Sequence, residues 1–125
     1  MSRPSVSPLR VLSSDARQDM VRDEGFCLLL WHLSTCGTAR APSLEHAAAV
    51  SYRSDRTFRR HFLATTGMTW RSFLLRWRLH AAELSVQESN QAIGDLAPRF
   101  GYSTAESFSR AFRRHFGRSP SAGRR

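Results

Sequence analysis

Residues 97–120, APRFGYSTAESFSRAFRRHFGRSP, decide the expected fold, because a fainter copy of this stretch lies fifty positions earlier. A short unit that occurs twice indicates one supersecondary motif used twice. Subtracting fifty pairs identical residues of the two copies: Ala97 with Ala47, Tyr102 with Tyr52, Phe108 with Phe58, Arg110 with Arg60, Phe112 with Phe62, and Gly117 with Gly67.

The spacing within the second copy predicts two short helices joined by a tight turn. Apolar residues recur at helical intervals between residues 93 and 100. Gly101 then allows a positive φ at the turn, and Thr104 can cap the next helix. Two helices joined in this way form a helix-turn-helix. The predicted inward face of the second helix holds Phe108, Phe112 and Phe116.

The run I-x-x-L-A-x-x-x-G-Y-S-x-x-x-S-F-x-R-A-F-R-R-x-F-G-x-S-P, from Ile93 to Pro120, resembles the signature of the AraC/XylS transcription regulators. This resemblance covers about residues 43–122. It implies an all-α, homeodomain-like fold with two helix-turn-helix subdomains joined by a long central helix. The upstream residues that extend it are Ser43-Leu44-Glu45, Arg56-Thr57-Phe58, Gly67-Met68-Thr69 and Arg78-Leu79, with Ala82 and Leu84.

The chain divides into a lead-in, a DNA-binding domain and a tail. We expect residues 1–14 to be disordered, because they are rich in serine and proline, and residues 123–125 to form the tail. The domain would cover residues 15–122, with a first helix-turn-helix at 43–66, a linker helix at 70–86 and a second helix-turn-helix at 90–116. Ser43, Ser54 and Thr69 are the expected caps of its other helices.

Residues 15–35 are predicted to form one helix, which Gly25 would weaken by about 1 kcal/mol. Two interpretations stay open for this apolar segment: a packed first helix, or the end of a sensor domain. We expect a stand-alone regulator, with a fragment of a longer sensor-regulator as the alternative. In the first motif, Ser51 stands where the second has Gly101, so a positive φ at that turn is less favourable.

The charge distribution favours double-stranded DNA as the partner. Residues 1–42 hold 5 Arg and 4 acids, a net charge of +1, whereas residues 43–125 hold 14 Arg and 6 acids, a net charge of +8. The whole chain has no lysine, and its pI is near 11.4. An Arg-rich surface that reflects codon bias would explain the missing lysines but not this asymmetry. Clustered positive charge on helices is typical of nucleic-acid binding.

The family resemblance assigns base contacts to the exposed faces of both second helices. A 17-residue linker helix would span about 25 Å, and major grooves on one face of B-DNA recur about every 34 Å. One monomer could therefore read two adjacent grooves. The base-facing candidates are Arg56, Arg59, Arg60, Glu106, Ser107, Ser109 and Arg110; Ser107 could instead pack, and Arg60 or Arg110 could clamp phosphate. The phosphate candidates are Arg113, Arg114 and Arg118.

Other classes of function find little support in the sequence. Ten scattered acids and no glycine-rich phosphate loop argue against an enzyme. Cys27 and Cys36 would lie on opposite sides of a helix, so we expect two buried thiols, no metal, no disulfide and no cofactor. No segment resembles a signal peptide or a membrane span, which favours the cytoplasm. RNA polymerase is a candidate partner, and a degenerate adaptor that binds protein instead of DNA is the remaining alternative.

Overall fold

The computed structural model describes residues 6–123, and every regular element in this range is helical. The expected all-α fold is therefore confirmed. Short 3₁₀ segments accompany the helices at Pro8–Val11, Thr38–Arg40, Ala97–Phe100 and Ser121–Gly123. The α-helices are α1 (Ser14–Arg22), α2 (Glu24–Cys36), α3 (Leu44–Val50), α4 (Asp55–Thr66), α5 (Trp70–Glu88), α6 (Ile93–Leu96) and α7 (Ala105–Phe116).

The helix starts follow local side-chain chemistry. Each of the four predicted N-caps accepts a hydrogen bond from the backbone N–H three residues later, at 3.0–3.2 Å. This bond satisfies a donor that has no partner within the helix. Gly67 and Gly117 end α4 and α7 in the left-handed conformation. The four caps are Ser43, Ser54, Thr69 and Thr104.

Helix α5, the linker helix, contributes to two hydrophobic cores. Its 19 residues span roughly 28 Å. The first core contains Trp70, Phe73, Leu74 and Trp77 of α5, packed with Phe58 and Phe62 of α4. The second core contains Leu79, Ala82 and Val86 of α5, packed with Leu96, Phe108 and Phe112. The three tryptophan and phenylalanine rings of α5 are thus core residues of the first motif. Leu79, Ala82 and Val86 give the same helix a second buried face.

The predicted single helix over residues 15–35 is wrong, because the chain breaks at Asp23. Asp23 has extended backbone angles (φ −89°, ψ 119°) and caps α2 by accepting the Phe26 N–H at 2.9 Å. Gly25 has a packing role at this point. A Cβ there would lie 2.4 Å from the Ser51 carbonyl oxygen, so glycine lets α2 approach the turn of the first motif.

The expected disorder of residues 1–14 is contradicted over residues 6–14, while residues 1–5 lie outside the described part. Pro8 and Leu12 are buried, and the Trp77 indole Nε1 donates to the Val6 carbonyl at 2.7 Å. Val6 and Leu12 belong to the first core, and Leu9 and Val11 pack against it. These few apolar contacts hold the segment in place. In the expected tail, residues 124 and 125 also lie outside the described range.

The two cysteines differ from the expected pair of buried thiols. Cys27 is exposed on the outer side of α2, and Cys36 is half-buried at its end; both are free. Burial raises the pKa of the Cys36 thiol. The apolar positions of α2 that enter the core are Phe26, Leu29, Leu30 and Leu33.

Asp23 also connects the N-terminal helices to the first motif. Its carboxylate accepts a hydrogen bond from Arg53 at 2.5 Å, and the Arg53 guanidinium lies 4.3 Å from the centre of the Phe26 ring. Burial alone would raise the pKa of Asp23, but the Phe26 N–H and Arg53 outweigh burial and lower it. The carboxylate therefore stabilises the folded state only while it is ionised.

The turns of the two motifs place the residue with a positive φ at different positions. In the second motif Gly101 takes the positive φ, at +90°. In the first motif Ser51 stays at φ −86°, its hydroxyl donates to the Ala47 carbonyl at 2.9 Å, and Tyr52 takes the positive φ, at +57°. Tyr52 is 85% exposed, whereas Tyr102 packs on Phe108. One substitution in the repeat therefore moves the left-handed residue by one position.

We expect Asp23→Asn to lower the free energy of unfolding by about 1–3 kcal/mol at pH 7, because a charged hydrogen bond is lost while the N-cap is kept. The folded-state pKa of Asp23 is lowered, so this stabilisation exists above the unfolded pKa of about 3.9 and disappears as pH falls further. Urea unfolding at pH 7 and pH 3 measures it. Asp19→Asn, at an exposed position of α1, is the control; an equal loss at both pH values would contradict the assignment.

Gly101→Ala should destabilise the protein by about 1–2 kcal/mol, because a side chain in the left-handed region is strained. A Cβ there meets nothing closer than Arg78 Nη1 at 3.9 Å, so the penalty is conformational. Gly94→Ala is the matched control in α6, where helix propensity favours alanine by up to about 1 kcal/mol. Thermal unfolding of both variants should give opposite shifts; two shifts of the same sign would contradict the interpretation.

Candidate nucleic-acid interface

Helix α4 carries the cationic face of the first motif. Arg56, Arg59 and Arg60 are all exposed, and with Asp55 and Leu63 they line an open concavity of about 560 Å³. Phe58 and Phe62 point into the first core from the opposite side of the same helix. The helical period thus separates the arginines from the core, so their side chains are available to an anionic partner.

Helix α7 repeats this arrangement in the second motif. Glu106, Arg110, Arg113 and Arg114 are exposed, while Ser109 is half-buried. Arg110 occupies the repeat position of Arg60, and both lie on the outer side of their helices. Phe108 and Phe112 are buried like Phe58 and Phe62, whereas Phe116, which was also expected to face inward, is half-buried. Helices α4 and α7 therefore present related polar faces to the solvent and pack against equivalent cores.

Ser107 has a structural task in the second motif. Its backbone N–H donates to Thr104 Oγ1 at 3.0 Å, and its hydroxyl donates to the Thr104 carbonyl, also at 3.0 Å. The first motif repeats the cap, with the Thr57 N–H donating to Ser54 Oγ at 3.2 Å. These bonds give Ser107 a role at the start of α7 that the sequence did not predict.

Arg118 differs from the other two phosphate candidates. Its guanidinium donates to the Glu83 carboxylate at 2.5 Å and lies 5.8 and 5.5 Å from the centres of the Phe112 and Phe116 rings. The side chain is 37% exposed. Arg118 thus connects the end of α7 to the linker helix, and its charge is already balanced. Arg113 and Arg114 lie free of such contacts with carboxylates in the described range.

Two arginines of α5 add to the cationic surface, although sequence reasoning left them out of the site. Arg71 and Arg78 line a groove of about 400 Å³ between α5 and the turn at Gly101 and Tyr102. Their spacing of seven residues places them on one face of a helix, which is the signal that could have identified them. The groove thus connects the N-terminal half of α5 to the turn of the second motif.

The electrostatics of this surface are dominated by unpaired arginines. Over residues 6–123, Arg53 and Arg118 are the arginines that lie within 4.0 Å of a carboxylate. Among the same residues, no group of three or more His, Cys, Asp or Glu side chains could hold a metal ion. The described helices also include none that is long and apolar enough to cross a bilayer.

Known proteins with a similar sequence are bacterial transcription regulators. The chain is 32% identical over 78 residues to the probable transcriptional regulator LumQ of Photobacterium leiognathi, covering 62% of this chain and 32% of LumQ. It is 37% identical over 76 residues to the HTH-type transcriptional activator RhaS of Klebsiella pneumoniae, covering 61% and 27%. The chain thus spans about a third or less of these relatives.

Solved structures show the same architecture. The DNA-binding domain of AdpA, a global transcriptional factor crystallised in complex with a target DNA, matches with a TM-score of 0.66 and 29% identity, covering 80% of this chain and 88% of that one. An AraC-type regulator from Chromobacterium violaceum matches with a TM-score of 0.63 and 21% identity, covering 88% and 86%. The second likeness concerns the fold alone.

The family model of a helix-turn-helix domain matches residues 47–125, which include both turns and both arginine-bearing helices. This match covers well over half of the chain, and the solved structures have the same fold. The chain belongs to the AraC/XylS family of helix-turn-helix transcription regulators.

Proposed function

We propose that this protein is a sequence-specific transcription regulator that reads two adjacent major grooves of double-stranded DNA through α4 and α7. The observation that carries the proposal is the repeated placement of exposed arginines opposite a buried phenylalanine face, with Arg60 and Arg110 at equivalent positions. A polyanion is the partner that such unpaired charge favours. The DNA-binding domain of AdpA, which is similar to this chain in fold and sequence, was crystallised in complex with a target DNA.

Both helices carry residues that can recognise bases. Arg56, Arg59 and Arg60 can each form a bidentate contact with O6 and N7 of guanine, so the first block of the site should be rich in G. In α7, Arg110 has the same chemistry, Glu106 can accept from the N4 amino group of cytosine, and Ser109 can bond to several bases. The second block should therefore differ in sequence from the first.

Phosphate contacts complete the interface. Arg113 and Arg114 are exposed near the end of α7 and are suited to bind the DNA backbone. Such contacts add affinity and salt dependence without sequence preference. Arg118 is assigned to the Glu83 ion pair instead, and Ser107 to the helix cap.

The linker helix makes a monomeric binding mode feasible. Its length of roughly 28 Å approaches the 34 Å between successive major grooves on one face of DNA. We therefore propose that one copy occupies a two-block site. We further propose that it acts in the cytoplasm without catalysing a reaction, and that RNA polymerase is its protein partner at the promoter.

Selection of bound sequences from random duplex DNA tests the proposal. We expect wild-type protein to enrich two blocks about one helical turn apart. Arg59→Ala should relax the sequence preference of the first block and Arg110→Ala that of the second, each by about 1–3 kcal/mol per lost base contact. The matched control is Arg22→Ala, at an exposed position of α1, which should enrich the same two blocks as wild type.

Salt-sensitive binding without any enriched sequence would contradict a sequence-specific regulator. The absence of salt-sensitive binding would instead support the adaptor alternative. If both arginine variants relaxed the same block, the assignment of one groove to each motif would be wrong.

A further inference from the structure

A cavity of about 440 Å³ lies between the N-terminal segment and α5, and none of its lining residues belongs to α4 or α7. This volume is within the range of small-molecule sites, which combine apolar walls with a few convergent polar groups. Most of one wall comes from residues 6–10 and Arg17, which precede the region matched by the helix-turn-helix family model.

The N-terminal wall is held in place by specific bonds. The Trp77 indole donates to the Val6 carbonyl at 2.7 Å, and Arg17 Nε donates to the carbonyls of Leu9 at 2.8 Å and Leu12 at 3.2 Å. Pro8 is buried between these anchors. The cavity is therefore a formed feature of the fold.

Its polar side is cationic. Arg10 and Arg17 line the cavity, and neither has a carboxylate within 4.0 Å in the described range. The neighbouring His80 has a buried Nδ1 atom without a hydrogen-bond partner. Because this atom is buried, the cationic groups that face the cavity are Arg10 and Arg17. Val6, Leu9 and Leu84 supply apolar contacts.

Glu83 lines the same cavity, and its carboxylate is engaged by Arg118 at 2.5 Å. Its charge is therefore balanced, and the guanidinium groups of Arg10 and Arg17 stay available for an anion. A carboxylate can pair with them, and an apolar body attached to it can contact the aliphatic wall.

We propose that this cavity binds a small organic monocarboxylate with an apolar body. The guanidinium groups of Arg10 and Arg17 bind the carboxylate, and Leu9 and Leu84 contact the apolar part. This function is independent of DNA binding. The site lies beside the contact between α5 and α7, where His80 Nε2 is 3.4 Å from His115 Nε2.

Titrations of the full chain with simple probes test this site. Benzoate and hexanoate are compared with their neutral amides and with inorganic phosphate, each up to about 10 mM, by backbone amide NMR shifts. We expect at least one carboxylate to shift amides of residues 7–10 and 80–87, with a dissociation constant at least about tenfold below that of its amide. Inorganic phosphate, which has no apolar body to contact Leu9 and Leu84, should bind more weakly than that carboxylate.

Arg10→Gln should raise the dissociation constant of the bound carboxylate at least about fivefold. The substitution removes an exposed guanidinium from the cavity without breaking a hydrogen bond of the described fold. Arg22→Gln, at an exposed position outside the cavity, should leave it unchanged. A melting temperature equal to that of wild type would show that both variants fold.

Three results would overturn the proposal. The first is that neither carboxylate shifts any backbone amide signal. The second is that a carboxylate and its amide bind with equal affinity. The third is that the shifted amides all lie in α4 and α7. The last result would mean that carboxylates bind only to the arginines of the DNA interface.

Discussion

The structure depends on the division of α5 between two hydrophobic cores. Trp70, Phe73 and Trp77 belong to the first core, whereas Leu79 and Ala82, only a few residues later, belong to the second. Because one continuous helix serves both cores, neither motif can rotate about the linker without exposing apolar surface. The helix therefore sets the spacing and the relative orientation of α4 and α7. Arg118 strengthens this constraint by connecting the end of α7 to Glu83 of the linker helix.

The features that follow from local chemistry could be predicted from the sequence. The four caps, the glycine at the second turn and the buried phenylalanines depend on residues within one helical turn of each other. The features that were missed depend on distant partners. Asp23 breaks the first helix and pairs with Arg53, thirty residues away, and the Val6 carbonyl meets Trp77 across the fold. Periodicity does not reveal such pairs, because they form only when the elements pack.

The same distinction applies to the interface. Helical spacing was enough to place Arg56, Arg59 and Arg60 on an exposed face, since their position depends only on where the core of α4 lies. It could not show that Arg118 is paired within the protein, because Glu83 lies thirty-five residues earlier. Helical spacing also could not show the geometry of the first turn. Ser51 donates a hydrogen bond to its own helix, and the exposed Tyr52 takes the left-handed conformation that Gly101 takes in the second motif.

The central claim is that one copy of the chain binds two successive grooves at a separation fixed by α5. The most direct measurement is the affinity for a two-block site compared with the same site carrying an insertion of 5 base pairs, about half a helical turn, between the blocks. Our account predicts that the insertion rotates one block away and lowers the affinity to that of a single-block site. An unchanged affinity would contradict it, because the two motifs would then have to move independently of each other.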